Sequence, residues 1–335
     1  MKALIVPEAG RIEIDEIPNP ELGPYDALVR NECCGICNST DTKLIDGKMF
    51  WAPPFPIVLG HESCGTVVET GSKVRRYRLG DRVTRSLAFW PETRPALNVA
   101  MGGFAEFGIV RDARAMADDG DSSLLKDYNT QRQLVVPAHL GPVQTSLAIS
   151  LSETASVLRH LPNLRGKTVA IAGTGVGGLA FVLWCKLAGA RVVAIGRRKE
   201  RLDVARFMGA DITVDSTKGD VGETLQHAAS GPVDGLIEAS GDAPMANRLL
   251  YALVQDGFAA AYGVPPTGIS YDKRWVVPAV EEHLSLPWVA DLLKRRWIDS
   301  DWFISHTWNF ADSLQAFAEV RQGKVMKGFI RFESN

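Results

Sequence analysis

Thr168-Val169-Ala170-Ile171-Ala172-Gly173-Thr174-Gly175-Val176-Gly177-Gly178 reads as an apolar strand that runs straight into a glycine-rich turn and on into an apolar helix over 179–187. The glycines at 173, 175 and 178 stand in the Gly-x-Gly-x-x-Gly spacing, and each has its own physical task. Gly173 permits the tight strand-to-helix turn, and Gly175 lets the backbone approach a pyrophosphate. Gly178 allows the helix to pack close on the sheet, where its N-terminal amides and dipole meet the anion. The plainer alternative is that the glycines only shape a turn. The strand before them and the helix after them favour a dinucleotide site, with Thr174, Val176 and Gly177 completing the cradle.

The next strand bears on which dinucleotide. Residues 191–195 run into Gly196-Arg197-Arg198-Lys199. NAD-binding sheets place an Asp or Glu at this strand end to accept bonds from the adenosine ribose hydroxyls; here the acid is absent and three cations follow. A carboxylate would repel a 2′-phosphate, whereas a guanidinium forms bidentate, charge-assisted bonds to it. Arg197, Arg198 and Lys199 therefore favour NADP(H) over NAD(H), against the simpler reading of a solvated helix start. A helical pattern over 200–208, a strand-like 235–239, a helix after Pro244 and a strand-like 258–262 continue the alternation of a parallel, doubly wound sheet.

Up to about Ala138 the texture differs from the alternation that starts near Ser150. Short β-type runs at 2–6, 27–33, 65–70, 82–84 and 104–110 are separated by Gly and Pro, the pattern of an irregular, mostly β domain. Helical patterns at 286–294 and 313–322 and a strand-like 328–332 are expected to return to that domain. The expected fold is α/β, with domains over 1–145, 146–277 and 278–335. Residues 113–135, where Asp118, Asp119 and Asp121 crowd together with few apolar anchors, are expected to form an exposed loop.

Composition narrows the partners. The chain has 335 residues, 46% hydrophobic and 23% charged, which is room for two cores and excludes a disordered or fibrous protein. A net charge of −2 without a long basic run offers nothing to nucleic acid or an anionic membrane. No stretch of about 18 apolar residues occurs, and the N-terminus turns polar too early for a signal segment. A cytoplasmic protein with small-molecule partners is expected. Five cysteines, at 33, 34, 37, 64 and 185, are an odd count and badly spaced for a secreted disulfide framework.

Metal chemistry is written in two pieces, Cys34-Gly35-Ile36-Cys37-Asn38-Ser39-Thr40-Asp41 and Gly60-His61-Glu62-Ser63-Cys64-Gly65. One thiolate (Cys37), one imidazole (His61) and one carboxylate (Glu62) are a zinc set. A structural zinc is usually closed by four Cys or His ligands, whereas a catalytic one keeps a position open and tolerates a carboxylate; the mixed set leans catalytic. Cys33, Cys34, Cys64 and Cys185 read as small buried apolar groups.

Together, and in this order, these features resemble the zinc-dependent medium-chain dehydrogenase/reductase superfamily, specifically its alcohol and polyol dehydrogenases. The matching stretches are Cys34-Gly35-Ile36-Cys37, Leu59-Gly60-His61-Glu62, Leu79-Gly80-Asp81-Arg82-Val83, Gly102-Gly103-Phe104-Ala105-Glu106-Phe107, the 173–178 glycines, Ile237-Glu238-Ala239-Ser240-Gly241 and Gly323-Lys324-Val325-Met326-Lys327. The resemblance spans nearly the whole chain. It implies a GroES-like catalytic domain, a Rossmann domain, a homodimer or homotetramer, and Ser240 among the cofactor contacts. It also implies Cys37 and His61 as zinc ligands, and Glu62 as a ligand or a close neighbour that exchanges with water.

A further ligand is expected where many sugar and polyol members read Glu-Pro-Leu-Ala. This chain reads Ser152-Glu153-Thr154-Ala155, so Glu153 is the candidate for the last ligand or for the group that holds water at the open position. The plainer alternative is an acid at a helix start, favoured by the dipole. After the ligand cysteine the chain departs from the common Gly-Ser-Asp, and Ser39, ahead of Thr40, is the candidate relay hydroxyl. Phe50, Trp51, Phe89 and Trp90 fall in loops that border the pocket in relatives, or belong to the core. Residues 85–115 lack the four cysteines that many alcohol dehydrogenases use for a second zinc, so one zinc per chain is expected.

By this resemblance the metal polarises an alcohol or ketone oxygen, and a hydride passes between the adjoining carbon and the nicotinamide C4. The implied substrate is a secondary alcohol or its ketone: a polyol, sugar or cyclitol. Two other readings are a zinc-free quinone or enoyl reductase of the same superfamily and a non-enzymatic dinucleotide-binding protein. The survival of the metal set argues against both.

Overall fold

The computed structural model describes residues 1–93 and 96–333. The chain forms two compact units, Met1–Ile149 together with the segment from Leu286 onward, and Ser150–Ser285. In chain order the first unit holds β1 (Lys2–Val6), β2 (Glu13–Glu16), β3 (Asp26–Ile36), α1 (Thr40–Ile45), β4 (Ile57–Val58), β5 (Glu62–Thr70), β6 (Arg82–Thr84), β7 (Asn98–Val99), β8 (Phe107–Arg111) and α2 (Ala113–Asp118). Helix α3 (Pro142–Val157) spans the boundary. The second unit holds β9 (Thr168–Ala172), α4 (Val176–Leu187), β10 (Arg191–Gly196), α5 (Lys199–Phe207), β11 (Ile212–Asp215), α6 (Val221–Ala229), β12 (Val233–Glu238), α7 (Ala243–Leu249) and β13 (Leu253–Ala261). Helix α8 (Glu282–Lys294) leads back to β14 (His306–Asn309), α9 (Ser313–Arg321) and β15 (Gly328–Arg331).

In the first unit, strands β2-β1-β4-β7 make one sheet and β14-β15-β3-β5-β6 another, with β8 also on β3. At 11 residues, β3 is long enough for two strands to share one edge. Strand β8 pairs with Asp26–Arg30, and the returning β15 pairs with the far end, Cys33↔Arg331 to Ile36↔Gly328. That return carries Lys327 to the end of β3. On the other edge β5 runs antiparallel, with Gly35 opposite Glu62, so the end of β3 and the start of β5 meet at one end of the sheet.

The second unit is a parallel sheet in the order β11-β10-β9-β12-β13. Strand β9 lies at its centre, and the order reverses there, the switch point at which such sheets bind ligands. Strands β9 and β10 are near-continuous apolar runs, buried along almost their whole length, and β12 is buried at every position but Asp234. Ala170, Val193, Ile195, Leu225, Leu236 and Leu249 form the core of one face.

Several expectations need correction. Residues 113–135 are an exposed loop only in their middle, where most of 118–128 is exposed. They contain α2 and a 3-10 turn at Thr130–Arg132, and Ala113, Ala115, Thr130, Arg132 and Gln133 are buried. The acids hid this: Asp112 caps α2 through the Ala115 amide (3.0 Å), and Gln133 accepts the Arg111 amide (2.8 Å), so local polar bonds replace apolar anchors. Helix α3 begins at Pro142, well before the texture changes at Ser150, because serines and threonines blur its period. Strand β11 and helix α6 also lay outside the expected elements. Among the described residues no helix is long and apolar enough to cross a membrane.

Candidate active site

Cys37 follows β3, while Glu62 opens β5 with His61 just before it, so the antiparallel register alone brings them together. Among the described residues, the donor atoms of Cys37, His61 and Glu62 lie within 4.8 Å of one another. Gly35 makes room: a Cβ there would collide with the Glu62 carboxylate. Gly60, at φ +110°, turns the chain into His61 where a side chain would meet the Phe104 amide. Ser146 on α3 donates to the Glu62 carbonyl.

The surroundings of the three residues are built for charge. His61 Nδ1 and Asp41 Oδ1 stand 3.2 Å apart and have no other hydrogen-bond partner. The other Asp41 oxygen accepts the Cys37 amide at 2.8 Å. Asp41 is fully buried, so it turns the imidazole and leaves Nε2 facing Glu62, 3.8 Å from Oε1. Burial disfavours charge on His61, but the Asp41 carboxylate and the Cys37 sulfur outweigh it and lift the imidazole well above its ordinary value. Burial likewise raises the Cys37 thiol, yet the bond and charge of His61 prevail and lower it. The Thr40 amide points at Cys37 Sγ, 3.5 Å away, which further suits a thiolate.

Lys327, buried beside this group, pairs with Glu62 and donates to the Ile36 carbonyl at 3.2 Å. Burial works against its charge, and Glu62 and Cys37 win, so its ammonium is held above the ordinary value. Sequence reasoning gave no role to Asp41 or Lys327, although both stand in the quoted stretches. The missing signal was the β15–β3 pairing, which spans most of the chain length. Ser39 Oγ accepts from Lys43 Nζ at 2.6 Å, one helical turn along α1.

A soft thiolate, an imidazole oriented by a buried carboxylate, and a carboxylate beside them suit zinc with an open position. The remaining cysteines do not join. Cys33, Cys34, Cys64 and Cys185 are buried, and burial pushes Cys33 and Cys185 up to about 12 and Cys34 and Cys64 well above the ordinary value. Of the four aromatics, Phe89 and Trp90 are core, Trp90 stacked 4.0 Å under the Arg111 guanidinium, while Phe50 and Trp51 are exposed.

In the second unit the glycine turn has the expected local shape. Gly173 is at φ +109°, and a Cβ on Gly178 would strike the Gly173 carbonyl, while one on Gly175 would meet nothing within 4 Å. That open space lies where an anion approaches the helix N-terminus. At the end of β10, a Cβ on Gly196 would lie 2.5 Å from Thr174 Oγ1, so Thr174 fills the place of an acid. The three cations divide. Lys199 pairs with Asp203 (2.7 Å), Arg197 is exposed, and Arg198 starts α5 next to Arg201. Arg201, absent from the sequence reading, is depressed by burial and by Arg198.

Ser240 lies against Gly173 of the glycine turn, but its hydroxyl donates to Glu238. Buried Glu238 also accepts the Gly241 amide (2.8 Å) and the Tyr271 hydroxyl, tying the end of β12 to the loop after β13. Burial, then Glu238, raises Tyr271 above its ordinary value. Glu153 does not start a helix. It stands one turn before the end of α3, where the dipole opposes an acid, and its carboxylate accepts from Tyr262 Oη at 3.0 Å.

Residues 23–118 match the family described as Alcohol dehydrogenase GroES-like domain, and residues 175–285 match Zinc-binding dehydrogenase. An L-threonine 3-dehydrogenase of Rhizobium etli is 29% identical over 83% of this chain and 80% of its own length. The sorbitol dehydrogenase of Rattus norvegicus is 24% identical over 99% of this chain and 96% of its own. A protein of Sinorhizobium meliloti 1021, assigned as a zinc-binding dehydrogenase and solved bound to NADP, is similar in structure (TM-score 0.80) at 27% identity, covering 98% of each chain. With both segments matched and relatives along most of the length, the chain belongs to the zinc-dependent medium-chain dehydrogenase/reductase superfamily, as an enzyme of the alcohol and polyol dehydrogenase type.

Proposed function

We propose that this enzyme transfers a hydride between NADP(H) and a secondary alcohol or its ketone, of the polyol, sugar or cyclitol class, with one zinc per chain. The convergence of Cys37, His61 and Glu62 carries the reading. Cys37 and His61 would hold the metal, with Glu62 as ligand or exchanging neighbour under the control of Lys327; Glu153 is the candidate for a further ligand. When bound, zinc supplies Lewis-acid polarisation of the substrate oxygen.

The chain's own residues do the rest. Asp41 orients His61, and Lys327 keeps the Glu62 charge compensated. Ser39, with Thr40 second, is the relay hydroxyl. Lys43 donates to its oxygen, which leaves the Ser39 proton free to point at a reacting group. The glycine turn seats the pyrophosphate, and Arg197 and Arg198 take the 2′-phosphate, supported by the missing acid at Gly196 and by the NADP found in the Sinorhizobium protein. The names of the relatives, threonine and sorbitol dehydrogenases, support a polar secondary alcohol. A cytoplasmic homodimer or homotetramer completes the proposal, its mass checkable by light scattering.

The test is elemental analysis of protein purified without chelator or affinity metal, with Cys37→Ser alongside, followed by a polyol and ketose panel with NADPH and NADH. About one zinc per chain, lost in the mutant, is expected. Reconstituted wild type without zinc would favour the quinone or enoyl reductase instead. Arg197→Ala with Arg198→Ala should erase the preference for NADPH; an unchanged preference would remove the basis for NADP(H).

A further inference from the structure

Tyr262 follows β13 directly, at the carboxyl end of an outer strand of the parallel sheet. Its amide donates to the Glu238 carbonyl at 2.8 Å. Its ring meets Phe181 of α4 edge-on, centroids 5.4 Å apart at 77°. It also lies against Gly177 in the first turn of α4, where a Cβ would stand 3.0 Å from the ring. Its hydroxyl is bonded to Glu153 on α3. Next to Glu153, Thr154 closes the same spot from below and takes the Trp184 indole N–H at 2.9 Å. One tyrosine therefore joins the last strand, the pyrophosphate turn and α3.

The sheet order says which part of a dinucleotide passes this point. Strands β10 and β11 lie on one side of β9, with Arg197 and Arg198 at the end of β10. The pyrophosphate belongs at the 173–178 turn, so the second mononucleotide falls over the carboxyl ends of β12 and β13. The Tyr262 O–H donates to the Glu153 carboxylate beside that path and fixes the orientation of both side chains.

We propose that Tyr262 is a positioning residue for the nicotinamide half of the cofactor, its ring seated on the bare Gly177 and its hydroxyl tethered by Glu153. This rests on the reading that the second unit binds a nicotinamide dinucleotide. It gives Glu153 a task within its own unit, an alternative to the metal-ligand role proposed above, and the zinc content of Glu153→Gln separates the two.

The experiment measures dissociation constants for NADPH and for 2′-phospho-ADP-ribose, which shares the adenosine and pyrophosphate groups but lacks nicotinamide, by calorimetry on the full-length protein. Tyr262→Phe, which keeps the ring and loses the tether, is expected to weaken NADPH about 3- to 10-fold, the worth of one hydrogen bond. Binding of 2′-phospho-ADP-ribose should stay within about 2-fold. Tyr262→Ala should widen the split, and Glu153→Gln, which keeps an acceptor, should narrow it. Equal weakening of both ligands would mean a merely structural role and overturn the proposal, as would no change in either. Loss of zinc from Glu153→Gln would overturn it too, by returning that carboxylate to the metal. Wild type that binds neither ligand would instead sink the underlying nucleotide reading.

Discussion

The side chains that set the chemistry of the first unit are buried charges, and each can be interrogated singly. Cys37 is the only half-exposed thiol of the five and the only one with a lowered pKa, with His61 overcoming burial. In zinc-stripped protein at neutral pH, alkylation followed by peptide mass mapping should label Cys37, and the other four only after unfolding. Earlier labelling of Cys33 or Cys64 would contradict their burial. Lys327 and Glu62 are both 4% exposed. Lys327→Met leaves a buried carboxylate without its cation and should cost about 3–5 kcal/mol in denaturant unfolding, with Glu62→Gln in the same chain restoring most of it. A cost under about 1 kcal/mol would mean that the pair is solvated in practice. Cys37, His61 and Glu62 were legible as a set because ligand chemistry is written in residue type. Asp41 and Lys327 were not, since an acid or a lysine has no spacing signature until a fold turns it inward.

At the scale of elements, the β9–α4 turn separates what holds a fold from what binds a ligand. Gly178→Ala would drive a methyl into the Gly173 carbonyl and should lower the melting temperature. Gly175 has φ −78° and open space around its Cβ position, so Gly175→Ala should melt like wild type yet bind NADPH poorly, because the methyl stands where the phosphate approaches. Thermal melting and nucleotide titration of both variants check the contrast, and a Gly175→Ala protein with intact affinity would move the phosphate elsewhere. This turn was readable because strand, glycines and helix are contiguous. Helix α3 and the ordered ends of the 113–135 region were not readable, for the opposite reason. Their order comes from capping and side-chain-to-backbone bonds, such as those of Asp112 and Gln133, which leave no apolar period to read.

For the molecule as a whole, two units with separate cores should respond to different ligands. By linkage, a ligand at about 100 times its Kd stabilises the state that binds it by about 2.7 kcal/mol. In hydrogen exchange, zinc should therefore slow the end of β3, α1, the start of β5 and β15, whereas NADPH should slow the β9–α4 turn and the ends of β12 and β13. The same pattern from both ligands would contradict the division of labour. The sequence by itself determined the glycine turn, the cation-rich end of β10, the ligand residue types and the family, since each is a short local pattern whose chemistry needs those residues side by side. Only the tertiary structure decided that β15 returns to β3 and brings Lys327 to Glu62, that Asp41 faces His61, that Thr174 fills the place of an acid at Gly196, and that Tyr262 takes Glu153. These are contacts between residues far apart in the chain or on different elements, and they exist only once burial has removed the alternative of water.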